Sequence, residues 1–471
     1  MIGQSAGLPS RLPFAIDWLP EPVLGFAGGL THIDPKVGIA ATGPRSLGDH
    51  RHPTVVTSAF IGTPELIETA RKWLRQAAGG VDGDGEHHPF PGYQPDGPFR
   101  STLRLDGPQP KLRRRDLLDL MGERVWRWAG FNELLSILDD RLRGLARLDA
   151  PPSLVFIALP ADLVKRYESV HRRRGGVEMV RNLRASIKAI AMRHGLRTQL
   201  LRQATIESSL TEHLGDLEHP ADLAWNLFTA VYFKAGGFPW APVGIPDGTC
   251  HVGVTFYRPH GEPSAMRTSV AQAFAETGDA FVLRGNRFEW EGKWPHLPAE
   301  EAARLITDVL DRYATEMGRS ARRVVVHKQS RFFDEERAGF EEALRGVEYD
   351  LVALAPSTSV RVMRHGEYPP PRGACVTVGD RRYLYATGYL PSLGRYPHGH
   401  VPAPLQITDH VGDTPTSQLL DEVLLLTKMN WNSARFAEQT PVTVRFAGQV
   451  GAILRDLPDD YTPEHRYAFY M

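Results

Sequence analysis

Apolar runs alternate with amphipathic stretches along much of the chain. TVVTSAFIG (54–62) is a β-branched apolar run, and PELIETARKWLRQAA (64–78) follows it with apolar positions at helical spacing and a proline in its first turn. This predicts one strand followed by one helix. LVFIALP (154–160) reads as a buried strand, VEMVRNLRASIKAIAMRHG (177–195) as a helix stopped by Gly195, and RTQLLRQATI (197–206) as the next strand. ADLAWNLFTAVYFKAGG (221–237) reads as a helix that Gly236 and Gly237 can end in the left-handed conformation. Strands alternating with helices imply a largely parallel, doubly wound sheet covered on both faces.

From about residue 241 a second unit begins. HVGVTFYRP (251–259), RRVVVHKQS (322–330) and YDLVALAP (349–356) read as strands, with EAARLITDVLDRYATEMG (301–318) and FDEERAGFEEALRG (333–346) as helices. ACVTVG (374–379) and RRYLYATG (381–388) are β-like, and LDEVLLLTKM (420–429) and TPVTVRFAGQVGAIL (440–454) are helical. Residues 1–48, rich in Gly and Pro, read as an extended lead-in, and 78–100 as a long loop. The expected organisation is a lead-in over 1–48, one α/β domain over 49–240 and a second over 241–471. A chain of 471 residues suits two or three domains.

Composition narrows the function. With 42% hydrophobic and 23% charged residues, the chain can bury real cores. Its 55 Lys and Arg balance its 55 Asp and Glu, which argues against a uniformly basic nucleic-acid binder. Two cysteines, Cys250 and Cys375, support neither a disulfide framework nor a four-cysteine zinc site, so a reducing, cytoplasmic setting is expected. No stretch approaches the length of a membrane span and no leader pattern opens the chain, so no membrane association is expected. His87-His88 and His398-Gly-His400 lie among Gly and Pro without metal-ligand spacing and read as exposed loops.

The even charge balance conceals a local excess. Residues 160–215 hold eleven Lys and Arg against five acids, a balance of +6, while 334–350 carry seven acids against two Arg. Arg184 and Lys188 are four apart, on one helix face; Gln199 follows on the next strand, and Lys234 falls in the last turn of the next helix. A doubly wound sheet gathers such ends around one crevice, where anions bind. Two cations and a Gln amide converging there suit a terminal phosphate.

NLFTAVYFKAGGFPW (226–240) resembles the helix and Lys-x-Gly-Gly-x-Pro-Trp turn that joins the MID and PIWI domains of Argonaute proteins. HVGVTFY, VVVHKQSRFF and TPVTVRFAGQV fall in order where that family's PIWI domain carries its catalytic motifs, and EPVLGFAGGLTHIDPKVGIAATGP (21–44) resembles the opening of the short prokaryotic Argonautes, which lack the N and PAZ domains. The resemblance implies an α/β fold: a Rossmann-like MID domain followed by a ribonuclease H-like PIWI domain. It also implies that Arg184, Lys188, Gln199 and Lys234 hold the 5′-phosphate of a guide strand. Arg184 takes a position where other members carry an aromatic, and would pair with phosphate or lie against the first guide base. The carboxylate of Met471 would help hold a Mg2+ ion on that phosphate.

Active PIWI domains hold two metal ions with four side chains, mostly carboxylates, and hard cations demand such ligands. The matching positions here are Thr255, Gln329 and Gly448; a fourth, a glutamate, falls on Glu289 or Glu291. One carboxylate cannot hold two divalent ions, so the domain is expected to bind a target without cutting it. Asp334, Glu335 and Glu336 read as favourable charge at a helix start. The resemblance thus implies an inactive short Argonaute: a short guide, RNA, pairs with complementary single-stranded invader DNA and switches on a separate APAZ-domain effector, sirtuin-like, TIR or nuclease, in antiviral or anti-plasmid defence. The alternatives are a guide-directed endonuclease with a divergent metal site, and an α/β metabolic enzyme with an anion pocket. The chain lacks the G-x-G-x-x-G and phosphate-loop motifs of the latter.

Overall fold

The computed structural model describes residues 14–122, 125–174, 177–211, 218–262, 264–275, 280–290, 292–394, 396 and 401–471. Its first sheet is wholly parallel, in the order Thr102–Arg104, Val55–Gly62, Leu154–Ala158, Thr198–Leu201. Strand residues alternate between two cores: Phe60, Leu154, Phe156 and Ala158 face one, and Ala59, Ile61, Val155 and Ile157 the other. A strand buried on both faces must be apolar at every position, which is why LVFIA carries no polar residue. Pro64–Ala78 is helical as expected, with the Thr63 hydroxyl accepting from the Leu66 N–H.

Two readings are corrected. Val177–Asn182 is not the start of a helix but a strand, paired antiparallel with Ser169–Arg174, and the helix runs only over Leu183–Arg193. Asn182 sets its start, because its side-chain oxygen accepts from the Ala185 N–H at 3.2 Å. The strand expected over 197–206 stops at Leu201, and Gln203–Ile206 makes a helical turn. Two helices beyond those expected, Arg114–Met121 and Arg127–Ala146, cover the second face of the sheet; Trp128, Phe131, Leu134, Leu138, Leu142 and Leu145 of the second fall at helical spacing.

Among the described residues the second sheet has nine strands. Thr249–Tyr257, Arg323–Lys328 and Glu348–Pro356 run parallel at its centre. Ala265–Ala275 and Ala280–Glu289 extend it on one side, and Leu405–Gly412, Arg381–Leu384, Ala374–Val378 and Phe14–Trp18 on the other, all antiparallel. The lead-in is thus woven into this sheet, and its Pro35–Thr42 is helical rather than extended, capped by Asp34.

A buried polar network ties the centre of the sheet together. Asp350 accepts from Arg323 Nη2 at 2.9 Å, from Thr414 Oγ1 at 2.7 Å and pairs with His410 Nε2 at 3.0 Å, while Glu422 accepts from Arg323 Nη1 at 2.7 Å and pairs with His251. Cys250 and Cys375 are buried free thiols. Among the described residues no helix is long and apolar enough to cross a membrane.

Candidate nucleic-acid interface

The helix Leu183–Arg193 presents Arg184 and Lys188 one turn apart, and the strand Thr198–Leu201 and the end of the helix Pro220–Lys234 lie beside it. Lys188 is 3% exposed and Lys234 1%. Lys188 Nζ donates to the Thr198 carbonyl at 3.1 Å, and Lys234 Nζ donates to Gln199 Oε1. The four residues singled out by spacing therefore meet in one place.

Lys234 is held there by the turn that follows it. Gly236 has φ 110°, which a side chain would strain, and a Cβ at Gly237 would lie 2.3 Å from the Tyr232 ring. Trp240 then anchors the turn, donating from Nε1 to the Lys428 carbonyl at 3.0 Å.

The electrostatics of the pocket are one-sided. Burial, with the charges of Lys234 and Arg184 adding to it, pushes the Lys188 ammonium well below the ordinary lysine range. Burial and the Arg184 charge bring Lys234 down to about 7. Burial also lowers Arg184, with Arg202 adding to the effect. Buried like charges are unfavourable, and an anion entering the pocket relieves all three at once.

The sequence reading missed several neighbours. Tyr467 lies within electrostatic reach of Arg184, and its buried hydroxyl has no hydrogen-bond partner among the described residues. Arg197 Nη1 donates to the Lys234 carbonyl, and its guanidinium lies 5.3 Å from the Phe469 ring centre. The last residues thus pack beside the pocket: Tyr467–Phe469 forms a short helical turn and Met471 is 1% exposed, in the same core as Ala185 and Ala189. Only contacts between residues far apart in the chain carry this information, so no local pattern could have shown it.

At the second sheet, Gly253 pairs with His327 on parallel strands, so two residues further on Thr255 and Gln329 stand at adjacent strand ends. The helical turn Val442–Arg445 packs over them: a Cβ on Gly253 would lie 1.9 Å from the Thr443 carbonyl oxygen, and Thr443 Oγ1 meets His327 Nδ1 at 2.8 Å. Gly448 follows on the helix Ala447–Arg455, exposed and with open space about its Cα. Two of the three positions expected to carry carboxylates, Thr255 and Gln329, therefore stand close together with a hydroxyl and an amide in them, and the third, Gly448, has no side chain. Among the described residues no three His, Cys, Asp or Glu side chains gather as a metal site. Glu289 is exposed at the end of its strand, beside Arg287; Glu291 lies outside the described residues.

Asp334, Glu335 and Glu336 do lie in the first turn of the helix Asp334–Ala343. Glu336 is also 0% exposed, pairs with the buried Lys328 and accepts from the Leu297 N–H. The carboxylate beside the strand end is thereby already neutralised. His87 and His88 are half-buried rather than loose: His87 pairs with Asp222 at 2.7 Å and stacks on His219 at 4.2 Å, while His88 faces Asp34. His398 and His400 lie outside the described residues.

No protein-family model and no curated protein matches the chain. Solved structures do. The Argonaute of Clostridium butyricum, bound to a guide DNA and a 19-mer target DNA, is 15% identical, with a TM-score of 0.64 over 96% of this chain and 54% of that one. Aa-Ago with externally bound siRNA gives 14%, 0.60, 98% and 56%, and Drosophila Piwi 13%, 0.59, 96% and 56%. The chain spans about half the length of these proteins, and over nearly all of its own length it has an Argonaute-like fold.

Proposed function

We propose that this chain is the guide-dependent recognition subunit of a prokaryotic defence system. It anchors the 5′-phosphate of a short guide RNA on Arg184, Lys188, Gln199 and Lys234 and pairs the guide with complementary single-stranded DNA. It does not cut the target. The observation that carries this reading is the gathering of Arg184, Lys188 and Lys234, two of them almost fully buried, around a site whose charge calls for an anion. Sequence specificity comes from base pairing, and the protein contributes shape and charge.

A Mg2+ ion on the guide phosphate is part of the proposal. The pocket's own side chains are cationic, so the fit rests on the carboxylate of Met471, a residue buried in the same core as Ala185 and Ala189. Bound there, the ion would add positive charge to the phosphate's surroundings. Arg184, Lys188 and Lys234 pair with the phosphate, and Gln199 orients the Lys234 ammonium toward it.

An uncut target follows from Thr255, Gln329 and Gly448, and from the neutralisation of Glu336 by Lys328. The resemblance to short Argonautes supports the remaining step, in which target pairing activates a separate APAZ-domain effector, sirtuin-like, TIR or nuclease. Incubated with guide, matched target and Mg2+ or Mn2+, the protein should leave the target intact. Cleavage that disappears in Glu289→Ala or Glu291→Ala would restore the endonuclease reading.

The pocket also sets a pH dependence. With Lys234 at about 7 in the free protein, phosphate binding favours its charged form. Affinity for a 5′-phosphorylated guide is expected to be greatest near pH 7, where the phosphate is largely doubly charged, and to fall by up to about tenfold per unit above it. A 5′-hydroxyl guide should show no such fall. Fluorescence anisotropy between pH 6.5 and 8.5 measures both, and parallel profiles would contradict the assignment of Lys234.

A further inference from the structure

A second basic surface begins where the phosphate pocket ends. The hairpin of Ser169–Arg174 and Val177–Asn182 runs directly into Asn182, the cap of the Leu183–Arg193 helix. The ends of the helices Arg114–Met121, Arg127–Ala146 and Ala161–Tyr167 meet at its base. Arg166 Nη2 donates to the Gly122 and Val125 carbonyls, both at 3.1 Å, and Arg127 Nε donates to the Arg166 carbonyl at 3.1 Å. The Arg172 guanidinium lies 5.4 Å from the ring centre of Trp126 and 5.8 Å from that of Trp128. Trp126 is 56% exposed, and Arg127 and Arg173 are exposed as well.

Among the described residues no carboxylate pairs with Arg127, Arg166, Arg172 or Arg173, and Glu178, which faces Arg173 across the hairpin, is held by His171 at 3.0 Å. Elsewhere on the same domain Arg143 and Arg193 both pair with Asp139. Guanidinium forks fit phosphate oxygens, and an exposed indole fits a stacked base. An unpaired nucleic-acid strand repeats both groups; an acidic protein surface repeats only the charge.

We propose that this surface holds the single-stranded target just beyond the nucleotide paired with the first guide base. The inference rests on the reading of the Arg184 and Lys188 pocket as the guide 5′ anchor. Because paired strands are antiparallel, a guide fixed there directs the 3′ flank of the target along the hairpin that precedes the anchoring helix. Phosphates of the flank take Arg127, Arg172 and Arg173, and a base stacks on Trp126.

The test uses the full chain loaded with a 5′-phosphorylated guide and two targets, one flush with the guide's 5′ end and one extended by several unpaired 3′ nucleotides. The extended target should bind about tenfold more tightly, the effect of one stacked base. Trp126→Ala, and separately Arg172→Ala with Arg173→Ala, should remove that advantage while leaving guide affinity and flush-target affinity unchanged. Equal binding of the two targets by the unaltered protein overturns the inference, as does an advantage that survives both variants. Loss of a protein partner on Trp126→Ala, with no flank advantage in the unaltered protein, also overturns it and makes the surface a protein interface. Failure to bind the guide at all refutes the pocket reading instead, so the two failures are distinguishable.

Discussion

Lys188→Met should make the guide-free protein more stable and at the same time abolish its preference for a phosphorylated guide. Lys188 is almost fully buried beside Lys234 and Arg184, and its hydrogen bond to the neutral Thr198 carbonyl does not compensate a charge. A methionine of similar volume removes the unfavourable charge, and exchanges of buried ionic for apolar groups stabilise by about 1–4 kcal/mol. Loss of a donor to the Thr198 carbonyl offsets part of this gain. Removing a charged contact to phosphate costs about 1.5–3 kcal/mol, so affinity for a 5′-phosphorylated guide should fall by roughly a hundredfold at most. Affinity for the 5′-hydroxyl form should hardly change. Thermal melts and guide titrations check both halves; a lower melting temperature with equal losses for the two guides would show that Lys188 is a structural residue.

The second large effect concerns stability alone. Asp350→Ala removes the group that joins the strand Arg323–Lys328, the strand Leu405–Gly412 and Thr414 at the centre of the large sheet. Arg323 keeps Glu422, but His410 and Thr414 lose their partner inside the protein. Breaking a buried pair of this kind destabilises by about 3–5 kcal/mol. Burial would raise the Asp350 pKa, yet hydrogen bonds from His410, Thr414 and Arg323 hold it below the ordinary carboxylate range. Its contribution is therefore present above the unfolded pKa of 3.8 and lost as pH falls through the lower folded value. Urea unfolding at pH 7 should show a markedly lower midpoint for Asp350→Ala. A midpoint within experimental error of the unaltered protein would mean that the network is dispensable.

What the sequence made legible follows the range of the interactions. The strand Val55–Gly62, the helix Pro64–Ala78 and the glycine turn after Lys234 are specified by neighbours, and all were foreseeable. Arg184 and Lys188 are a helical pair, and sheet topology brings Gln199 and Lys234 to them, so these four could be assembled from spacing. Val177, Val180 and Leu183 fall three apart and imitate a helix, but pairing with Ser169–Arg174 makes the segment a strand. Glu336 stands at a helix start as its place in the sequence suggests, but only the fold shows that Lys328 pairs with it in the interior, and His87 looks loose until Asp222, far along the chain, closes on it. Tyr467 and Arg197 escaped for the same reason: their partners Arg184 and Phe469 are brought in by the fold, not by spacing. The basic hairpin gave only its charge, because the position of Trp126 beneath Arg172 depends on three helix ends meeting.

The most direct test of the account is a titration of the unaltered protein at pH 7 with two guides of one sequence, differing only in a 5′-phosphate or a 5′-hydroxyl. Buried cations at Arg184, Lys188 and Lys234 predict that the phosphorylated guide binds at least tenfold more tightly, and that complementary DNA then joins the complex intact. Equal affinities for the two guides would contradict the assignment of the pocket and the function built on it.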